Sequence, residues 1–188
     1  MAKILDVAQY IYDELGWVDA WRLEKLTYYA DSWFAAWYGK PLFNEEFEAW
    51  VDGPVAPVLY HANKRREGIW SQELPEGNGS ALLPGEKTAI SSVLSFYGSW
   101  SKERLIQQTH EERPWLEARK GLGRHARSSN AISKETAMRF YARSEAAGHQ
   151  GPQRPFEAPR SLTQAEVRSA FAANSSRWAE AIELLADR

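Results

Sequence analysis

Apolar residues recur at helical spacing over residues 3–15, at Ile4, Val7, Ala8, Ile11 and Leu15, and Gly16 follows them. The pattern predicts an amphipathic helix with a glycine stop. A second helix is predicted over 20–38, with Asp19 as N-cap and Gly39 and Pro41 ending it. Leu23, Leu26, Ala30, Trp33 and Trp37 form its apolar stripe, while Tyr28, Tyr29, Phe34 and Tyr38 cover much of the remaining circumference. A helix that is aromatic on nearly every side belongs at the centre of its domain.

The period then changes. Over 45–51, Phe47, Ala49 and Val51 alternate with Glu46, Glu48 and Trp50, which predicts a short strand. Ile69 to Leu74 offers it a partner for a small antiparallel ribbon. Asp52-Gly53 reads as a turn, with Gly53 in a backbone conformation that a side chain resists. Pro54 suits the first turn of a helix running to about residue 66, and Pro57 still lies within that turn. The two prolines set a rigid angle for that helix, with Trp50 and Tyr60 packed around it.

Further helices are predicted over 84–98, opened by Pro84, over 101–110, capped by Ser101, and from Ser133 to about 143. Pro114 starts a short helical turn that carries Trp115, and residues 119–130 are loop-like. The reading is therefore a mainly α domain over 1–143. A Pro/Gly-rich linker follows at 144–160, then an amphipathic helix at 161–188, opened by the capping-box spacing of Thr163 and Glu166. That last helix either docks on the domain or fills a groove on a partner.

Composition narrows the function classes. The chain has 188 residues, of which 44% are hydrophobic, enough for one packed core. It has no cysteine, which excludes disulfides and thiolate metal sites. Its four histidines, His61, His110, His125 and His149, show no metal-ligand spacing. The N-terminus lacks a secretion-signal pattern and no apolar run is long enough to span a bilayer, so a soluble cytoplasmic protein is expected. Residues 1–60 carry four Lys/Arg against ten Asp/Glu, and residues 113–143 carry eight against two. Internal complementarity or plain surface charge explains this asymmetry, as does a basic patch for an acidic partner.

The candidate chemistry is sparse. His110 lies beside Glu111 and Glu112, but neighbours on a helix do not face one another, and a His near a helix end more often serves its last carbonyls. Lys25 is a candidate functional amine, although snorkelling to the surface is the expected placement. Asp52 reads as a turn aspartate before a catalytic one. The basic loop of Arg119, Lys120, Arg124, His125 and Arg127 is compatible with RNA or phosphate but has no local aromatic platform, so nucleic acid is not an expected partner. No cofactor or metal motif is present in the sequence, and no enzyme is expected.

Five separated motifs, in order, carry a family resemblance over residues 3–142. They are Leu23-Glu24-Lys25-Leu26-Thr27-Tyr28-Tyr29-Ala30 with Trp33; Gly39-Lys40-Pro41-Leu42-Phe43; and Ala49-Trp50 with Gly53-Pro54-Val55, Pro57 and Leu59-Tyr60. Thr109-His110 with Arg113-Pro114-Trp115 and Ala118-Arg119 follows, then Asn130-Ala131-Ile132-Ser133. In these the chain resembles the Panacea-domain antitoxins, also described as GepA-like or SocA-like phage-associated proteins. Glu24 stands where the family usually has glutamine, and Asp19-Ala20-Trp21 replaces a polar lead; both read as surface or capping changes.

The resemblance implies a helical antitoxin that neutralises a toxin encoded beside it, often one that blocks translation, by direct protein binding. The alternatives are an adaptor that delivers the toxin to a protease and an enzyme that reverses the toxin's modification. It implies contact residues among Lys25, Tyr28, Trp33, Trp50, Asp52, Gly53, Pro54, Tyr60, His110, Pro114, Trp115 and Arg119, with Lys120, Arg124 and Arg127 as a basic contact loop. A homo-oligomer stays open.

Overall fold

The computed structural model describes residues 2–64, 71–123 and 125–155. In chain order the elements are helices Ile4–Leu15 (α1) and Ala20–Tyr38 (α2), strands Glu48–Trp50 (β1) and Gly53–Val55 (β2), and helices Pro57–Lys64 (α3), Pro84–Tyr97 (α4), Lys102–Glu111 (α5), Arg113–Ala118 (α6) and Lys134–Ala146 (α7). The fold is mainly helical with a two-stranded antiparallel sheet.

Helix α2 is the axis of the fold, as its all-round aromatic pattern requires. Every residue from Leu23 to Ala35 is buried, and α1, α4, α5 and α7 pack around it. The Asp19 carboxylate caps it by accepting from the Arg22 N–H at 3.1 Å. At its other end Gly39 takes the left-handed conformation, φ 70°, and its N–H closes on the Ala35 carbonyl. Tyr29 stacks on Tyr97 of α4 with centroids 4.1 Å apart, and Trp33 meets Tyr141 of α7 at 5.1 Å.

One buried carboxylate ties three helices together. Glu112, between α5 and α6, accepts from the Tyr141 hydroxyl at 2.6 Å, the Tyr29 hydroxyl at 3.2 Å and the Gln108 amide at 3.2 Å. A second polar tie joins the Lys134 ammonium to Asp31 at 2.7 Å and to the Phe43 carbonyl at 2.8 Å.

Two expectations change at the hairpin. Strand β1 forms where the alternation places it, but its partner is β2, with Ala49 opposite Pro54 across a two-residue turn, Val51-Asp52. Residues 71–74 are not in a strand, and 69–70 lie outside the described residues. Pro54 therefore sits in a strand and not in a helix; Pro57 begins α3. A two-residue turn lets the chain pair immediately, which a partner some twenty positions away cannot outcompete. Trp50 and Tyr60 do pack together, edge to face at 4.9 Å.

Beyond α7 the chain returns to the domain. The Arg154 guanidinium donates to the Trp37 carbonyl at 2.7 Å, Ser92 donates to the Gln153 carbonyl, and Pro152 is buried. The helix expected at 161–188 lies outside the described residues.

Candidate functional site

The hairpin tip stands between two recesses. On one side is a cavity of about 270 Å³ with Trp21, Trp50, Tyr60 and Val55 in its walls and Glu24, Lys25, Asp52 and Asn63 as its polar groups. On the other is an open groove of about 900 Å³ along α5 and α6, lined by Ile106, His110, Trp115, Leu116 and Leu122 among others.

Local geometry explains how these side chains come together. Helix α2 turns Glu24 and Lys25 towards the hairpin. One oxygen of Glu24 accepts from the Ala56 N–H at 2.9 Å, which anchors the end of β2 to α2. Its other oxygen has no partner, nor do the Lys25 amine and the Asn63 amide nitrogen. Lys25 does not snorkel: it is fully buried. Gly53, at φ +98°, makes the space for it, since a Cβ there would lie 2.7 Å from Lys25 Cε. Burial pushes the Glu24 carboxyl well above the usual carboxylate range and the Lys25 amine well below the usual lysine range.

His110 links the two recesses. It lies near the Val51 backbone at the hairpin tip and stacks on Trp115 at 4.1 Å. Burial and the nearby Lys25 hold it below its ordinary pKa, which favours the neutral ring. The Trp115 indole N–H donates to the Trp50 carbonyl at 3.0 Å, so α6 is tied to β1. Arg119 ends α6 and folds inward: it donates to the carbonyls of Ala49 at 2.8 Å, Ala126 at 2.7 Å and Gly123 at 3.2 Å. One guanidinium thus holds the carbonyls of Gly123 and Ala126 to β1.

Residues 23–116, half of the chain, match the family model "Antitoxin SocA-like, Panacea domain". The chain belongs to that family. Antitoxin SocA of Caulobacter vibrioides is 53% identical to it over 38 residues, which are 20% of this chain and 20% of that protein. The match thus spans about a fifth of the relative's length. No solved structure matches the chain. No helix among the described residues is long and apolar enough to cross a membrane, and none of their His, Asp and Glu side chains group in a way that could hold a metal.

The twelve signature residues, all but Arg119 within the matched region, divide by burial. Lys25, Tyr28, Trp33, Gly53, Pro54, Pro114, Trp115 and Arg119 are buried. Asp52 is exposed, and Trp50, Tyr60 and His110 are half-buried around the hairpin. Lys120 and Arg127 are exposed, and Arg124 lies outside the described residues. Glu24 is no surface change: it is 3% exposed. Asp19 does act as a cap, and Trp21 is 47% exposed at the cavity mouth. Sequence reasoning passed over Asn63; it placed Glu24 at the surface, Thr109 only within a motif and Glu112 only as a neighbour of His110. The signal for Glu24 was its place on a helix apolar all round, where a carboxylate has no route to water.

Proposed function

We propose that this Panacea-domain chain is an antitoxin that neutralises a cognate toxin protein by binding it directly in the cytoplasm, and that the α5–α6 groove with the hairpin tip is its contact face. The observation that carries the choice of face is a pair of large apolar side chains on the groove wall, Leu116 at 48% and Leu122 at 41% exposure. Exposed apolar surface around a concave feature marks sites of protein association. Glu103 and Glu111 border the same groove. A toxin that fits it presents an apolar centre flanked by basic residues. Stable complexes bury about 1,200–2,000 Å² in total, more than the groove alone offers, so the hairpin tip belongs to the same face. The action proposed is sequestration, without a catalytic step.

The test is co-expression with the neighbouring open reading frame, scoring growth and co-purification together. Relief of toxicity with a co-purified complex supports sequestration. Relief without a complex, accompanied by a shortened toxin half-life, replaces it with delivery to a protease.

A further inference from the structure

The cavity on the α2–α3 side of the hairpin has the composition of a small-molecule site. Its walls are largely aromatic and aliphatic, with Glu24, Lys25, Asp52 and Asn63 as its few polar groups, as is usual where a small polar set orients an otherwise apolar ligand. Its volume, about 270 Å³, falls just below the ~300–1,000 Å³ typical of drug-sized ligands and suits one or two rings.

This polar set is out of balance. Three buried polar atoms lack partners: the Lys25 amine, the Asn63 amide nitrogen and the second oxygen of Glu24. Buried polar groups are nearly always hydrogen-bonded, and a buried ammonium is normally paired with an anion. Lys25 and Asn63 are donors. Glu24 keeps its proton more readily than a solvated carboxyl, which makes it a third donor. Three donors, one of them a cation, ask for one anionic acceptor with several lone pairs. The aromatic walls of Trp21, Trp50 and Tyr60 ask for a flat apolar body.

We propose that this cavity binds a small aromatic carboxylate, its carboxylate meeting Lys25, Asn63 and Glu24 and its ring lying against Trp50, Tyr60 and Trp21. The Lys25 ammonium reaches the ligand by rotation of its flexible stem. At the rim, Asp52 is exposed, Glu48 is held by the Trp50 indole N–H at 2.6 Å, and Lys64 and Lys102 lie over the rings of Tyr60 and Trp21. This mixed charge admits a monoanion and disfavours polyanions such as nucleic acid. The cavity shares no lining residue with the α5–α6 groove, although the hairpin tip borders it, and ligand binding is measured without the toxin, so the two readings fail separately.

The experiment titrates the full chain with indole-3-acetate and benzoate, reading tryptophan fluorescence and melting temperature, against benzamide and hexanoate as controls. Both aromatic acids are expected to bind and raise the melting temperature, with benzamide and hexanoate each weaker by about ten-fold or more. Lys25→Met is expected to abolish binding while the chain stays folded. Asn63→Ala, at a half-buried position whose amide nitrogen has no partner to lose, is expected to weaken it about ten-fold. Affinity falls as pH is raised through about 8, where Lys25 loses and Glu24 gains charge. Equal binding of benzoate and benzamide, undiminished binding by folded Lys25→Met or Asn63→Ala protein, or no response to either acid overturns the proposal.

Discussion

Lys25 occupies the space that a side chain at residue 53 would need. A Cβ on Gly53 would lie 2.7 Å from Lys25 Cε and 2.7 Å from Thr109 Oγ1, on a backbone already at φ +98°. Gly53→Ala meets both a steric and a conformational penalty: the Lys25 head and the Thr109 hydroxyl must shift, on a backbone conformation that side chains resist. The expected loss is about 1–3 kcal/mol, measured by urea unfolding. A variant as stable as the parent would show that Lys25 has another place to go.

Burial of Lys25 makes a second prediction with the opposite sign. Its ammonium has no hydrogen-bond partner, and burial lowers its pKa from 10.5 to about 8. Methionine keeps the length and removes the charge. Lys25→Met is expected to stabilise the fold at pH 7 by about 1 kcal/mol or more. The wild type binds fewer protons folded than unfolded between pH 8 and 10.5, so its stability rises across that window. The advantage of the variant therefore shrinks as pH is raised, and parallel melting curves at pH 7 and pH 10 check it.

Glu112 gives a pH dependence at the other end of the scale. Burial raises its pKa from 4.5 to about 7, against the pull of the Tyr141, Gln108 and Tyr29 hydrogen bonds. The folded state holds this proton more tightly than the unfolded chain. Its contribution is complete below about pH 4.5 and is lost as pH rises to about 7. Glu112→Gln cannot titrate. The difference in stability between wild type and variant is expected to change by on the order of 1–3 kcal/mol across that window. A constant difference would mean that Glu112 is ionised throughout.

How much of this was legible beforehand depends on the range of each interaction. The Asp19, Ser101 and Ser133 caps and the Gly16 and Gly39 stops are local, and each forms where its residue type places it. The strand at Glu48–Trp50 also follows from its own alternation. Its partner does not, because pairing depends on what else lies within reach. Lys25 was misplaced for a related reason. Snorkelling is the average behaviour of lysine, but it needs water near the helix, and α2 has neighbours on every side. The same all-round aromatic pattern that placed α2 at the centre already required its charged residues to be buried. For the candidate site, several signature residues gather around the hairpin, while two other groups lining the cavity, Glu24 and Asn63, come from separate helices brought together by packing.

The segment after α7 is held by a close approach. A Cβ on Gly151 would lie 2.8 Å from Trp33 Cη2 and 2.9 Å from Cζ2. Trp33 is itself locked in the core, so the segment has to give way. Gly151→Val is expected to lift residues 149–155 from α2 and α4, break the Arg154–Trp37 contact and lower stability by about 1 kcal/mol. Limited proteolysis reads this directly, as faster cleavage between residues 147 and 155. An unchanged cleavage rate would mean that Pro152 and Arg154 hold the segment without Gly151.

The proposed toxin face can be tested without disturbing the core. Leu116 and Leu122 have much of their surface in water already, so Leu116→Asp and Leu122→Asp are expected to change stability by no more than about 0.5 kcal/mol. If they anchor the toxin, each leaves a carboxylate in an apolar contact, beside Glu103 and Glu111, which already border the groove. Truncation of a central anchor typically costs about 2 kcal/mol or more, and a buried unpaired charge costs at least as much. Affinity for the co-purified toxin is expected to fall at least about thirty-fold for Leu116→Asp, mainly through faster dissociation. Glu103→Lys, at the rim, is expected to slow association and reduce its salt sensitivity while leaving dissociation nearly unchanged. Surface plasmon resonance separates the two effects. If both Leu variants bind like wild type, the toxin docks elsewhere and the groove is not its site.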